Sequence, residues 1–160
     1  MKQAGAAGWK IEAPPVAIAA HLARLHGLCF APLPETPWPE SAFRTILGLS
    51  TTFARFAHQD GDDASALLVC RLSGEEAEIL TLCVAPEARR SGLARGLLDV
   101  CIRHVGPQTR IVLEVAVNNA PAIALYESAG FRPAGLRPDY YSGGSRRVDA
   151  LVYARGADTA

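Results

Sequence analysis

The feature that most restricts what this chain can fold into is one unbroken stretch, ILTLCVAPEARRSGLARGLL, running up to Leu98. An apolar, strand-like run ends at Val84, Pro86 stops it, and a short basic loop opens directly into a helix. The helix is read over residues 91–105. There Leu93, Leu97, Leu98, Cys101, Ile102 and Val105 recur at three- and four-residue steps, before Gly106-Pro107 ends the pattern. A strand that enters a helix through Arg89-Arg90-Ser91-Gly92-Leu93-Ala94 leaves unpaired N–H groups and the positive end of the helix dipole at that loop. Such an end is an anion site. Gly92 and Ala94 keep side-chain bulk away, so an elongated phosphate group can touch the backbone, and Arg89, Arg90 and Arg95 add charge at the same end. The competing reading of these residues is a solvated loop that happens to be basic. Neither the Gly-Lys-Ser/Thr of a nucleotide phosphate loop nor the Gly-x-Gly-x-x-Gly of a dinucleotide fold occurs, which sets those two arrangements aside.

Around this stretch the chain alternates strand and helix patterns. A short strand is expected at 9–12, and Pro14-Pro15 is expected to open a first helix reaching about Leu28. A proline-rich loop, APLPETPWPE, fills 31–40, and a second helix over 41–47 would pack Phe43, Ile46 and Leu47. Strands are read at 51–57, 64–72 and 78–84, the first two joined by a hairpin turn at Gln59-Asp60-Gly61-Asp62. After the helix at 91–105 come a β-branched strand over 111–117, a helix over 119–129 capped by Gly130, and strands at 131–140 and 148–154 around a Gly-Gly-Ser-Arg-Arg loop. This order predicts one domain, residues 1–160, of mixed α/β class: a mixed sheet with helices on both faces.

The overall balance narrows the function classes. Sixteen basic residues, fourteen of them Arg, face sixteen acidic ones, so no basic excess exists to grip nucleic acid by bulk electrostatics. No apolar run approaches the roughly 18 residues of a membrane span, and the first residues lack a signal-peptide core, so a cytoplasmic protein is expected. Cys29, Cys70, Cys83 and Cys101 match no zinc or redox spacing and read as buried thiols. The four histidines show no metal-ligand spacing, and no metal is expected; His21 and His26, on the first helix, read as packed or solvated.

The run Arg89-Arg90-Ser91-Gly92-Leu93-Ala94 resembles the (Gln/Arg)-x-x-Gly-x-(Gly/Ala) motif of the GNAT acetyltransferases, whose loop holds the pyrophosphate of acetyl-CoA. Leu113-Glu114-Val115, with the segment from Asn118 to Phe131, is similar to that superfamily's second block. Tyr140-Tyr141, Asp149-Ala150-Leu151 and Pro37-Trp38-x-Glu40 resemble, more narrowly, the ribosomal-protein-alanine N-acetyltransferases. The resemblance implies a GNAT-like fold, with a mostly antiparallel twisted sheet of about six to seven strands. It also implies acetyl-CoA as co-substrate and direct acetyl transfer to a primary amine, foremost the N-terminal α-amine of a protein such as a ribosomal protein. A small-molecule amine, or a non-catalytic acyl-CoA-binding role, are the alternatives.

By the same resemblance Glu114 is the general base and Tyr126 the acid, the first to relieve the attacking amine of its proton, the second to protonate the departing thiolate. Glu114 reads otherwise as a strand-edge carboxylate paired with an arginine, and Tyr126 as a core aromatic whose hydroxyl reaches a carbonyl. The main chain of Leu82, Cys83 and Val84 would pair with the pantetheine arm as an added strand pairs with a sheet edge. Asn119 is implied to touch the cofactor and is equally suited to cap the helix that follows it. Cys83 carries nothing in its surroundings to lower its pKa, which argues against an acyl-cysteine intermediate. Arg146 and Arg147 would either meet an acidic acceptor tail or form a solvated tip.

Overall fold

The computed structural model of the chain describes residues 3–4 (backbone), 8–60, 63–142 and 146–156. Eight strands form one sheet: β1 (Gln3–Ala4), β2 (Lys10–Glu12), β3 (Thr52–His58), β4 (Ala66–Ser73), β5 (Glu76–Val84), β6 (Arg110–Ala116), β7 (Arg132–Tyr141) and β8 (Val148–Arg155). Their order across the sheet is β1-β2-β3-β4-β5-β6-β8-β7, and every pairing is antiparallel except β5 with β6. The expected mixed sheet is present, and the two-residue β1 is an addition too short to leave a hydrophobic pattern in sequence. Four helices complete it: α1 (Ala19–Phe30), α2 (Glu40–Leu47), α3 (Leu93–Val105) and α4 (Ala120–Ser128). The first helix begins later than Pro14-Pro15 suggested. Pro15 is extended (φ −70°, ψ 150°), and a single 3-10 turn at Val16–Ile18 precedes α1. Gly61 and Asp62 of the expected hairpin turn, and Gly143 to Ser145 of the last loop, lie outside the described residues.

Burial follows the sequence periods. On α1 the buried positions Leu22, Leu25, His26 and Cys29 form one stripe, and on α3 Leu93, Leu97, Val100 and Cys101 do the same. Ala66 through Cys70 of β4 are buried without alternation, which requires cover on both faces of the sheet. The α1 side chain His26 reaches Thr81 of β5 at 3.0 Å, while His104 of α3 stacks on Phe53 of β3 with centroids 4.0 Å apart. Val69 pairs with Thr81 but Cys70 pairs with Ile79, so Leu80 is an extra residue on β5. This bulge flips the facing of β5 at Leu80. It sets the Thr81 side against α1 and the Cys70 side, shared with Phe53, against α3. All four cysteines are free and buried, and no described helix is long and apolar enough to cross a membrane.

Candidate active site

The site begins where β5 and β6 part. Their parallel pairing covers only Glu76–Glu78 against Arg110–Val112, after which β5 runs on to Val84 and β6 to Ala116 without meeting. The Leu80 bulge sits just past the last shared pair, where a local kink turns β5 away from its neighbour. A cleft of about 340 Å³ opens there, with Leu82 on one wall and Glu114, Asn119 and Tyr126 on another.

At the end of β5 the basic loop forms a concave main-chain surface. Arg90 (φ +61°) and Gly92 (φ +80°) both adopt left-handed backbone conformations, Arg90 at the cost of strain that a side chain imposes. Arg89 just before them is extended (φ −67°, ψ 159°), so the loop changes backbone conformation residue by residue as it enters α3. Among the described residues no backbone carbonyl accepts from the N–H groups of residues 90–95; the first helical bond of α3 runs from Gly96 to Gly92, 2.9 Å. A Cβ placed on Gly92 would meet nothing within 4 Å, so glycine is needed there for its φ and for the approach of a ligand, not for packing. The cradle therefore fits an elongated phosphate.

The side chains around it divide into two kinds. Arg90 is exposed and engages no partner among the described residues. Arg89 donates from Nε to the Val84 carbonyl at 3.2 Å, and Ser91 bonds the Ala88 carbonyl, both folding the loop on itself. Arg95 is paired with Asp99 (3.0 Å) and bonds Ser128 Oγ (3.2 Å) and its carbonyl (3.3 Å), which ties α3 to the end of α4. Leu93 and Cys83 point into the core, so only their main chain is available to a cofactor, while Val84 and Ala94 are half-buried. The Val84 carbonyl also accepts from Cys29 Sγ at 3.3 Å. Hydrogen bonding with Cys29 and burial push the Cys83 thiol well above its ordinary range, which keeps it protonated.

Glu114 and Tyr126 both line the cleft. Glu114 is held in an ion pair by Arg137 of β7, Nη1 to Oε1 2.7 Å, so the arginine-paired arrangement is present alongside its place in the cleft. Tyr126 is 7% exposed, stands edge-on to Phe131, and its hydroxyl bonds no carbonyl among the described residues. Burial first, then the nearby Glu35 carboxylate, raise its pKa, which keeps the phenol protonated. Asn119 caps α4, its Oδ1 accepting from the Ala122 N–H at 3.3 Å, while its residue still lines the cleft.

The opposite wall comes from the proline-rich loop and from β7. Trp38 donates its backbone N–H to His26 Nδ1 at 3.0 Å, which fixes the neutral ring as the Nε2–H tautomer donating to Thr81. Burial lowers the His26 pKa to about 4. On β7 the register slips between Arg137 and Tyr141: Arg137 faces Ala150, yet Tyr141 faces Val148. Asp139 takes φ +52° within that slip, and its N–H bonds Asp149 Oδ1 at 2.8 Å. The slip sets Tyr140 and Tyr141 in the cleft wall, and Arg137 lies over the Tyr140 ring at 4.7 Å.

Of the residues singled out in sequence, Glu114, Tyr126, Asn119 and Leu82 line one cleft, and 89–95 form the loop that follows β5. Sequence reasoning missed Arg137, Glu35 and the His26–Trp38 contact. Arg137 is remote from Glu114 in sequence, and Glu35 looked like any acid in a proline-rich loop. His26 carried one legible signal, its position on the apolar stripe of α1.

Comparison with known proteins adds a family. Residues 20–131 match the acetyltransferase (GNAT) family model. The [ribosomal protein bS18]-alanine N-acetyltransferase of Escherichia coli (strain K12) is 33% identical over 120 residues, covering 74% of this chain and 80% of that protein. The crystal structure of the ribosomal-protein-S18-alanine N-acetyltransferase from Escherichia coli superposes with a TM-score of 0.83 at 28% identity, covering 95% of this chain and 96% of that one. The structure of Arabidopsis thaliana NAA60 with a bisubstrate analogue shares the fold, with TM-score 0.78 and 18% identity over 91% of this chain and 96% of that one.

Proposed function

The chain belongs to the acetyltransferase (GNAT) family, an acyltransferase using acetyl-CoA, and from that premise we propose that it acetylates the N-terminal α-amine of a protein. The observation that carries this reading is the meeting of Glu114 and Tyr126 in one cleft, opened by the splay of β5 from β6. When bound, acetyl-CoA supplies an acetyl group on a thioester. The N–H groups of residues 90–95 hold its diphosphate, with Arg90 adding charge, and the free edge of β5 at Leu82, Cys83 and Val84 pairs with the pantetheine amides. Asn119 turns its side-chain amide to the same ligand while its carbonyl caps α4.

The residues then manage protons. An amine attacks only as the neutral base, so Glu114 accepts the proton that its nitrogen sheds as the new N–C bond forms. As the C–S bond breaks, the Tyr126 hydroxyl gives its proton to the sulfur, which leaves as a thiol. No enzyme-bound acyl group forms, and the elevated Cys83 thiol accords with that. An α-amine titrates near ~7.8 and a lysine near ~10.4, so exposing the neutral α-amine at pH 7 costs about 3.5 kcal/mol less. Similarity to the [ribosomal protein bS18]-alanine N-acetyltransferase supports the same acceptor class, with a ribosomal protein as the first candidate.

The test is a panel of acceptors with purified protein and acetyl-CoA, followed by thiol release. Peptides with a free N-terminus should react at least about tenfold faster than Nα-blocked lysine peptides or a polyamine. A preference for lysine or the polyamine would defeat the α-amine reading.

A further inference from the structure

Glu114 and Arg137 are not neighbours in the sheet. β8 lies between β6 and β7, so the two backbones stand two strand spacings apart, about 10 Å. Glu114 pairs with Val152 of β8, and Val152 with Gly135 of β7; Ala116 pairs with Ala150, and Ala150 with Arg137. Residues directly across an antiparallel pair share a face, as do residues two apart on one strand. Glu114, Val152, Gly135, Ala150 and Arg137 therefore lie on one face of the sheet. The β8 residue opposite Arg137 is only an alanine, fully buried, and Gly135 has no side chain at all. These two leave a lane along which the arginine crosses β8 and brings Nη1 to 2.7 Å from Glu114 Oε1. Its guanidinium also lies 4.7 Å from the centre of the Tyr140 ring, so it is held from two sides.

β7 ends the sheet, with nine of its ten residues exposed, and the Arg137 side chain is 52% exposed against 18% for Glu114. An ion pair with so exposed a partner adds little to stability. What it fixes is the carboxylate: Oε1 is taken by the arginine, while no described group donates to Oε2. We infer that Arg137 is a positioning residue for the base, holding Oε1 from across β8 so that Oε2 is presented to the acceptor nitrogen in the cleft. The inference rests on the acetyltransferase reading above, with Glu114 as base. Arg137 takes no proton itself, since a guanidinium has no acceptor; the proton still passes from the amine nitrogen to Glu114. A glutamate free to rotate would meet the amine in the productive geometry only part of the time, so loosening it slows transfer without weakening binding.

The test is a double-mutant cycle on Glu114→Gln and Arg137→Met, read in steady-state turnover of a peptide with a free N-terminus and in titration with coenzyme A. Arg137→Met should lower kcat about tenfold or more, with the acceptor KM and the coenzyme A affinity each within about threefold of wild type. In the Glu114→Gln background, already slow, the same change should cost less than about twofold further, because the arginine acts through that carboxylate. Arg137→Lys, which keeps the charge without the planar fork, should lose less than Arg137→Met, and it carries the same cycle if the methionine variant does not fold. Additive losses would overturn the inference, since the arginine would then act without Glu114. A raised acceptor KM at unchanged kcat would overturn it too, because that marks contact with the acceptor. Glu114→Gln as fast as wild type would remove the base, and this inference with it. If wild type acetylates no amine at all, the acetyltransferase reading itself falls; an active wild type with an indifferent Arg137→Met removes this inference alone.

Discussion

Tyr126 illustrates how one side chain is made ready by its surroundings. It is buried, packed edge-on against Phe131, and raised in pKa mainly by loss of water. A phenol in that state keeps its proton at neutral pH, so the hydroxyl is in the form that can donate. Tyr126→Phe should therefore lower kcat by ~10²-fold while leaving CoA affinity within about twofold. Steady-state rates with a binding titration decide this, and an equally active variant removes Tyr126 from the chemistry. Glu114 shows the complementary point. The arginine partner that the sequence allowed is there, yet the carboxylate still lines the cleft, so ion pair and site coexist at one residue. Asn119 likewise performs its capping role without leaving the cleft.

At the level of elements, two irregularities build the site: the Leu80 bulge on β5 and the slip around Asp139 on β7. Neither was legible in sequence, because an inserted residue in an apolar strand such as Ile79-Leu80-Thr81-Leu82 leaves the string of residue types ordinary. The paired helices and strands were legible, since α3 repeats Leu93, Leu97 and Cys101 at helical spacing and β6 is an apolar stretch rich in β-branched residues. The Asp149 motif read only as a resemblance acquires a physical cause, because its carboxylate holds the left-handed Asp139. Between elements, His26 clamps α1 and the proline-rich loop to β5. Its folded-state pKa of about 4 lies below the unfolded value of 6.5, so the unfolded chain binds the extra proton between those values. The contribution is complete above pH 6.5 and is lost as pH falls towards 4, a change on the order of 3 kcal/mol. Denaturant melts of wild type and His26→Leu across that window should show the steep slope in wild type and a flatter one in the variant. Parallel slopes would place the acid sensitivity elsewhere.

For the whole molecule, a sheet that is continuous across eight strands is wedged open at one seam, between β5 and β6. The seam brings together pieces distant in sequence: Leu82, Glu114 and Tyr126, and Glu35 and Tyr141 from the two outer segments. The strand-loop-helix stretch was legible, because glycine and arginine at a helix start carry their physics locally. The far wall of the cleft stayed hidden, because contacts such as Arg137 with Glu114 and Trp38 with His26 exist only after folding. The proposed transfer depends on the main-chain loop that Gly92 permits at φ +80°. The most direct measurement of that dependence is calorimetric titration of coenzyme A into wild type and into Gly92→Val, whose side chain has open space in the fold but disfavours that φ. Saturable one-to-one binding by wild type and at least about tenfold weaker binding by the variant are expected, with thermal stability lowered by no more than about 1–2 kcal/mol. Coenzyme A bound equally by both proteins, or by neither, would contradict that expectation.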